Sequence, residues 1–288
     1  NRGTPVPVNC YIDAGNSRIK GRVARRAEPF SVTWPDTSEP DAVGALAIRL
    51  EPLLVDDKGR SPRQIVLASV VEPERREWLE TALVEICPAA KLRWLSVPRK
   101  CCHVRVAYAD PGRLGIDRFC AMIEAHARIE DRPLAVINAG SAITLDVVDV
   151  GGEHRGGLIL PGWRAQVEGL RSAAPGLDEA VAPLLVTGQS SDDGYDSRQP
   201  PPVATRELGL ATDTTTAVDL GRYWLLAAGV NEMLAVWREA LAEQGELIAV
   251  IAGGDAERLA DLVAPEVETR VETGLVLGGI ARLAKARR

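Results

Sequence analysis

An apolar run ending in a carboxylate, then Gly and short polar side chains, is a place where phosphate and a hard cation can meet. Residues 11–20, YIDAGNSRIK, have that form in Asp13, Gly15, Asn16, Ser17 and Lys20. A close relative of the stretch returns at residues 136–146 as VINAGSAITLD. Setting Asp13 on Asn138 places Ala14 on Ala139, Gly15 on Gly140, Asn16 on Ser141 and Ser17 on Ala142, an offset of 125 residues. A tight Gly turn lets backbone N–H groups and small side chains approach phosphate oxygens with no Cβ in the way. Asp13 suits Mg²⁺, because hard cations take oxygen ligands and bridge to substrate phosphates. Lys20 and Arg18 share one face of the strand leaving the turn. Each reads either as a neutraliser of transferring phosphate charge or as a solvent-facing cation.

Two further stretches carry candidate chemistry. In YADPGRLGIDRFCAMIEAHAR, from Tyr108, Asp117 and Arg118 fall in the first turn of an expected helix. Asp117 is then either a helix-start residue stabilised by the dipole or a carboxylate base for a substrate hydroxyl, with Arg118 gripping an anion. IAVIAGGDAER (248–258) is an expected buried strand ending in Gly253 and Gly254, with Asp255 near a helix N-cap. A flat purine can slide over such a bare backbone. GxGxxG is absent there and in GLVLGG (274–279), so a dinucleotide fold is not indicated.

These residues need elements to hold them. VNCYID (8–13) and SRIKGRV (17–23) read as a hairpin turning at Gly15 and Asn16. AVGALAIRLEPLL has helical spacing, RQIVLASVV (63–71) reads as a buried strand, and PERREWLETALVEIC (73–87) reads as a helix with Pro in its first turn. The pattern is α/β. The opening recurs from about Arg132 as LAVIN and a hairpin through ITLDVVDVGGEHRGGLIL (143–160), followed by a long helix from about Thr214 to Glu243, the strand 247–254 and a helix after Glu272. Two domains are expected, 1–131 and 132–288, with the last helix able to pack back on the first. Residues 188–206, rich in Gly, Ser, Asp and Pro, read as an ordinary insertion or a substrate-gating lid.

Composition narrows the class. The chain has 288 residues, 46% hydrophobic and 26% charged, long enough for two cores. Its net charge of −6 and pI near 5.3 argue against a nucleic-acid partner. It has no apolar run of membrane length, and NRGTPVPVNC does not resemble a signal peptide. A cytoplasmic location is expected. Five cysteines without paired CxxC spacing read as reduced thiols. Cys101, Cys102 and His103 are neighbours expected on extended chain, where alternate directions disfavour joint chelation.

Taken in order, these motifs resemble the type III pantothenate kinases, which include the Bvg accessory factor proteins. D-x-G-N-[T/S]-x-x-K is met by Asp13, Gly15, Asn16, Ser17 and Lys20. G-x-D-R is met by Gly115, Asp117 and Arg118, with Tyr108 in a Tyr-x-x-P setting. G-T-A-x-T-x-D is met by Gly140, Ser141, Ala142, Thr144 and Asp146, and G-G-x-I-x-P-G by Gly156, Gly157, Ile159, Pro161 and Gly162. N-T-x-x-A-[I/V]-x-x-G is matched by Thr214, Ala217, Val218 and Gly221. The resemblance covers nearly the whole chain. It implies two ribonuclease-H-like domains of the actin-like ATPase type with a cleft between them, ATP and Mg²⁺ use, a homodimer, and phosphorylation of pantothenate. Asp117 becomes the general base. Asp13, Gly15, Asn16, Ser17, Lys20, Gly140, Ser141 and Thr144 surround phosphates and metal, with Gly253 and Gly254 at the nucleotide. Tyr108, Gly115, Arg118 and Thr214 meet pantothenate, Thr214 by reaching across the dimer. Most members carry Asp where Asn138 stands, a carboxylate that helps hold K⁺ or NH₄⁺, so this chain departs from the family at its monovalent-cation site. The competing readings are an accessory protein of the same fold and an actin-like kinase for another hydroxyl substrate.

Overall fold

A computed structural model describes residues 9–286 apart from 25, 27, 37–38, 57 and 186–209. The expected insertion at 188–206 lies outside the described residues. The chain divides into two compact units, one made of residues 1–128 and 274–288, the other of 129–273. Among the described residues no helix is long and apolar enough to cross a membrane.

The first unit is a five-stranded sheet in the order β3-β2-β1-β4-β5. β1 (Asn9–Ala14), β2 (Arg18–Val23) and β3 (Phe30–Thr33) form an antiparallel meander, while β4 (Gln64–Ser69) and β5 (Lys91–Trp94) run parallel to β1. The parallel pairing needs a crossover, which α1 (Ala42–Leu54) provides between β3 and β4 and α2 (Pro73–Ile86) between β4 and β5. Cys10, Ile12, Ile19, Leu46, Leu50, Leu79 and Leu83 interlock as the core. The large side chains sealed within it contribute about 1.5–3 kcal/mol each.

Period-two alternation sends Asp13 to the face opposite Ile12. Helix α3 (Ile116–Arg128) and the C-terminal helix α8 (Leu275–Ala286) pack together there, and α8 also packs on β1. Two glycines let them touch: a Cβ on Gly279 would fall 1.9 Å from the Cys120 carbonyl, and one on Gly278 would fall 2.6 Å from the Glu124 carboxyl carbon. Glu124 then pairs with Arg128 at 2.9 Å and Arg282 at 3.0 Å.

The second unit repeats the plan as β10-β9-β8-β11-β12. β8 (Leu134–Ala139), β9 (Ala142–Val148) and β10 (His154–Pro161) are antiparallel, and β11 (Ile248–Ala252) and β12 (Glu268–Val271) run parallel to β8. Helices α4 (Trp163–Ala173), α5 (Asp178–Leu185), α6 (Thr214–Ala240) and α7 (Ala256–Ala260) complete it. Its core joins Ile137, Ile143, Leu145 and Ile251 to Leu226, Val230, Leu234 and Leu259. Each unit has the ribonuclease-H-like arrangement that the resemblance implies.

Cys102 and His103 do not lie on extended chain. They turn a short hairpin between β6 (Lys100–Cys101) and β7 (Val104–Arg105) with φ of 50° and 70°. The Cys101 and Cys102 sulfurs are 3.5 Å apart. No group of three or more potential metal-ligating side chains occurs among the described residues.

Candidate active site

In the first unit the β1–β2 turn is built as the sequence suggests, and its surroundings explain its shape. The Gly15 N–H donates to the Arg18 carbonyl at 3.1 Å, closing a three-residue turn of Gly15, Asn16 and Ser17. The Trp34 indole N–H donates to the Gly15 carbonyl at 2.8 Å, and the Arg75 guanidinium donates to the Asn16 carbonyl at 2.7 Å. Arg75 also stacks over Trp34, 5.5 Å from the ring centroid. Neither Trp34 nor Arg75 belongs to a motif, and sequence reasoning missed both. Arg18 is held by the Ser31 hydroxyl at 2.9 Å, leaving Lys20 as the cation beside Asp13.

Asp13 and Lys20 are cross-strand partners in the β1–β2 register. Asp13 is 9% exposed, and burial lifts its carboxyl from the ordinary range to about 7. The Asp117 carboxylate adds to the rise and Lys20 opposes it. Asp117, at the start of α3, thus lies in the electrostatic neighbourhood of Asp13. Its carboxylate accepts the Arg118 N–H at 2.8 Å, and Gly115 makes room for it, since a Cβ there would fall 2.5 Å from an Asp117 oxygen. Two carboxylates that repel each other in a buried setting fit a divalent cation, which lets both ionise.

Tyr108 and Arg118 also come together. Arg118 is 4% exposed, its guanidinium 6.0 Å from the Tyr108 ring centroid and donating to the phenol oxygen at 3.2 Å. Arg118 is therefore committed to Tyr108 rather than presented openly. The Arg99 guanidinium holds the same loop through the Tyr108 and Ala109 carbonyls.

In the second unit the corresponding turn is one residue shorter. Ala139 pairs with Ile143 as Ala14 pairs with Ile19, so only Gly140 and Ser141 stand between the strands. The register therefore sets Thr144, not Leu145, on Lys20, and Ser17 has no counterpart. The uniform offset that placed Ser17 on Ala142 fails beyond the glycine, because the loop lengths differ. Asn138 and Thr144 are cross-strand partners, and the Thr144 hydroxyl is buried with no protein partner. Such an oxygen fits a ligand or cation at this position.

Two glycine segments close on this turn. The Gly162 N–H donates to the Ser141 carbonyl at 3.1 Å, and a Cβ on Gly162 would fall 2.1 Å from the Gly140 oxygen. Gly253, at φ 112°, packs so that a Cβ would fall 2.0 Å from the Ala139 oxygen. Gly254 faces open space and remains the bare backbone expected there. Asp146 turns inward, 3.0 Å from His154, both nearly sealed from solvent. Ile159 is 62% exposed on the sheet edge. Thr214 stands exposed as the first residue of α6, whose N-cap Asp213 accepts the Thr216 N–H at 2.9 Å.

Known proteins match this chain along most of its length. A family model for type III pantothenate kinase matches residues 10–236. The type III pantothenate kinase of Marinobacter nauticus is 31% identical over 277 residues, covering 96% of this chain and 97% of its own length. That of Herminiimonas arsenicoxydans is 29% identical over 274 residues, covering 93% and 94%. Among solved structures, a ROK family glucokinase from Streptomyces griseus superposes with a TM-score of 0.46 at 16% identity, covering 97% of this chain and 98% of its own. MreB 5 of Spiroplasma citri gives 0.45 at 11%, covering 98% and 96%. With its ordered motifs, its two matching sheets and a family match spanning most of its length, this chain belongs to the type III pantothenate kinase family.

Proposed function

We propose that this chain transfers the γ-phosphoryl group of ATP to the primary hydroxyl of pantothenate, giving 4′-phosphopantothenate at the entry to coenzyme A synthesis. The observation that carries the reading is the grouping of Asp13, Asp117 and Lys20 in one unit. Phosphoryl transfer asks a protein for positioning and charge neutralisation more than for covalent chemistry. Asp117 accepts the hydroxyl proton as general base. Lys20 and the turn residues Gly15, Asn16 and Ser17 serve the phosphates, as do Gly140, Ser141 and Thr144, with Gly253 and Gly254 beside the nucleotide. Tyr108, Gly115, Arg118 and Thr214 serve pantothenate.

Asp13 would hold Mg²⁺, which supplies charge neutralisation at the transferring phosphate. Its carboxyl would have to be ionised to hold the cation. At the monovalent-cation position, Asn138 offers a neutral oxygen beside the Thr144 hydroxyl, so K⁺ or NH₄⁺ is held weakly or not needed. A homodimer in the cytoplasm is the working form. The exposed side chains of Trp224 and Leu225 on α6 and Ile159 on the edge strand β10 suit a partner surface.

The test of the base is Asp117→Asn. Turnover falls by about 10²-fold or more while ATP binding, measured by calorimetry, persists. Near-normal turnover would remove Asp117 from that role.

A further inference from the structure

Behind the Gly140–Ser141 turn, among the core-side elements of the second unit, lies a buried charge cluster that the phosphoryl chemistry leaves unused. Asp219 and Arg222 of α6 are 1% and 5% exposed and form an ion pair. Arg258 of α7 comes within 4.0 Å of the same carboxylate oxygen and stacks on the Trp163 indole, 4.4 Å from its centroid. Arg222 donates to the Trp163 carbonyl at 3.4 Å. Half-buried Asp255 feels both guanidiniums, which counter the upward push of burial on its carboxyl.

Stability alone does not account for such a cluster, since apolar replacements of buried ion pairs are often neutral or better. The second Asp219 oxygen and the Trp163 indole N–H are buried without protein partners, which adds to its cost. What the cluster touches does account for it. Trp163 follows Gly162, the residue pressed against Gly140 and Ser141. Arg258 follows Gly253 and Asp255, where Gly253 is pressed against Ala139 and the Asp255 N–H donates to the Ala139 carbonyl at 3.2 Å. The cluster ties together the two segments that grip Ala139, Gly140 and Ser141. The first turn has a similar device in Arg75 stacked on Trp34, both bonded to its carbonyls.

We propose that Asp219, Arg222 and Arg258, gathered on Trp163, are positioning residues for the nucleotide. They fix the shape of the Gly140–Ser141 turn for the nucleotide's phosphates. The proposal rests on the kinase reading, in which that turn binds ATP. It assigns the cluster to ATP and not to pantothenate.

The test compares wild type with Asp219→Asn, Asp219→Glu and Arg258→Lys by calorimetric binding of Mg²⁺-ATP, by steady-state kinetics and by thermal unfolding. Asp219→Asn and Arg258→Lys are expected to weaken ATP binding and raise KM for ATP on the order of 10-fold, below the ~10²-fold that a 1 Å misplacement can cost. KM for pantothenate stays unchanged, and Asp219→Glu recovers part of the loss. Variants that unfold at lower temperature yet bind ATP normally would overturn the proposal, as would an equal rise in both KM values. Should Asp219→Asn not fold, Arg258→Lys, which keeps the charge, decides the question. A wild-type protein that binds ATP but forms no phosphopantothenate defeats the kinase reading, while the binding comparison still judges the cluster. A wild type that binds no ATP overturns both.

Discussion

Asp13 combines burial, a like-charged neighbour and a lysine across the strand pair, and the first two dominate. A carboxyl near 3.9 when unfolded and about 7 when folded holds its extra proton in the folded state between those values. Folding stability from this group is therefore present at acid pH and lost as pH rises through about 7. Asp13→Asn removes that dependence. In thermal unfolding of the metal-free protein from pH 4 to 8, wild type should gain on the variant as pH falls, and a flat difference would refute the burial argument. In the second unit, at the proposed monovalent-cation position, Asn138→Asp places a charge next to Thr144, so kinase activity should come to depend on K⁺ or NH₄⁺. An unchanged response to either salt would show that residue 138 does not govern monovalent-cation use.

At the scale of elements, the two turns differ by one residue and their glycines differ in purpose. Gly253→Ala forces a Cβ at φ 112° into the Ala139 carbonyl and should cost at least about 2 kcal/mol. Gly254→Ala meets nothing within 4 Å and should stay within about 0.5 kcal/mol of wild type. Denaturant unfolding of both variants checks the contrast, and equal losses would contradict it. The sequence showed that a Gly pair ends β11 but not which glycine packs and which is open, because that depends on where β8 ends beside it. Strong apolar patterns made β1, β4, β8, β11, α2 and α6 legible. The four-residue strands β3, β5 and β12 lie at sheet edges, mix polar or charged residues with apolar ones and carry too little hydrophobic signal to be read. The bracing residues Trp34, Arg75, Asp219 and Arg258 were equally silent, since each acts through a contact far away in sequence.

At the scale of the whole molecule, duplication explains why two turn motifs recur in one chain, each at the end of the first strand of its own sheet. The resemblance carried the roles of Asp117, Tyr108 and Thr214; for Asp117, spacing alone left helix start and catalytic base both open. Trp224, Leu225 and Ile159 are exposed apolar side chains of the second unit that the proposed dimer would cover. Sedimentation should accordingly give a dimer that Leu225→Asp weakens, and a monomeric wild type would contradict that. The central claim is catalytic, and one assay meets it directly: purified protein with Mg²⁺-ATP and pantothenate, with and without K⁺, followed for 4′-phosphopantothenate. The proposed reading predicts product with and without K⁺, with little dependence on K⁺ because of Asn138. No product in either, from folded protein that binds ATP, would contradict the kinase assignment and favour an accessory protein of the same fold.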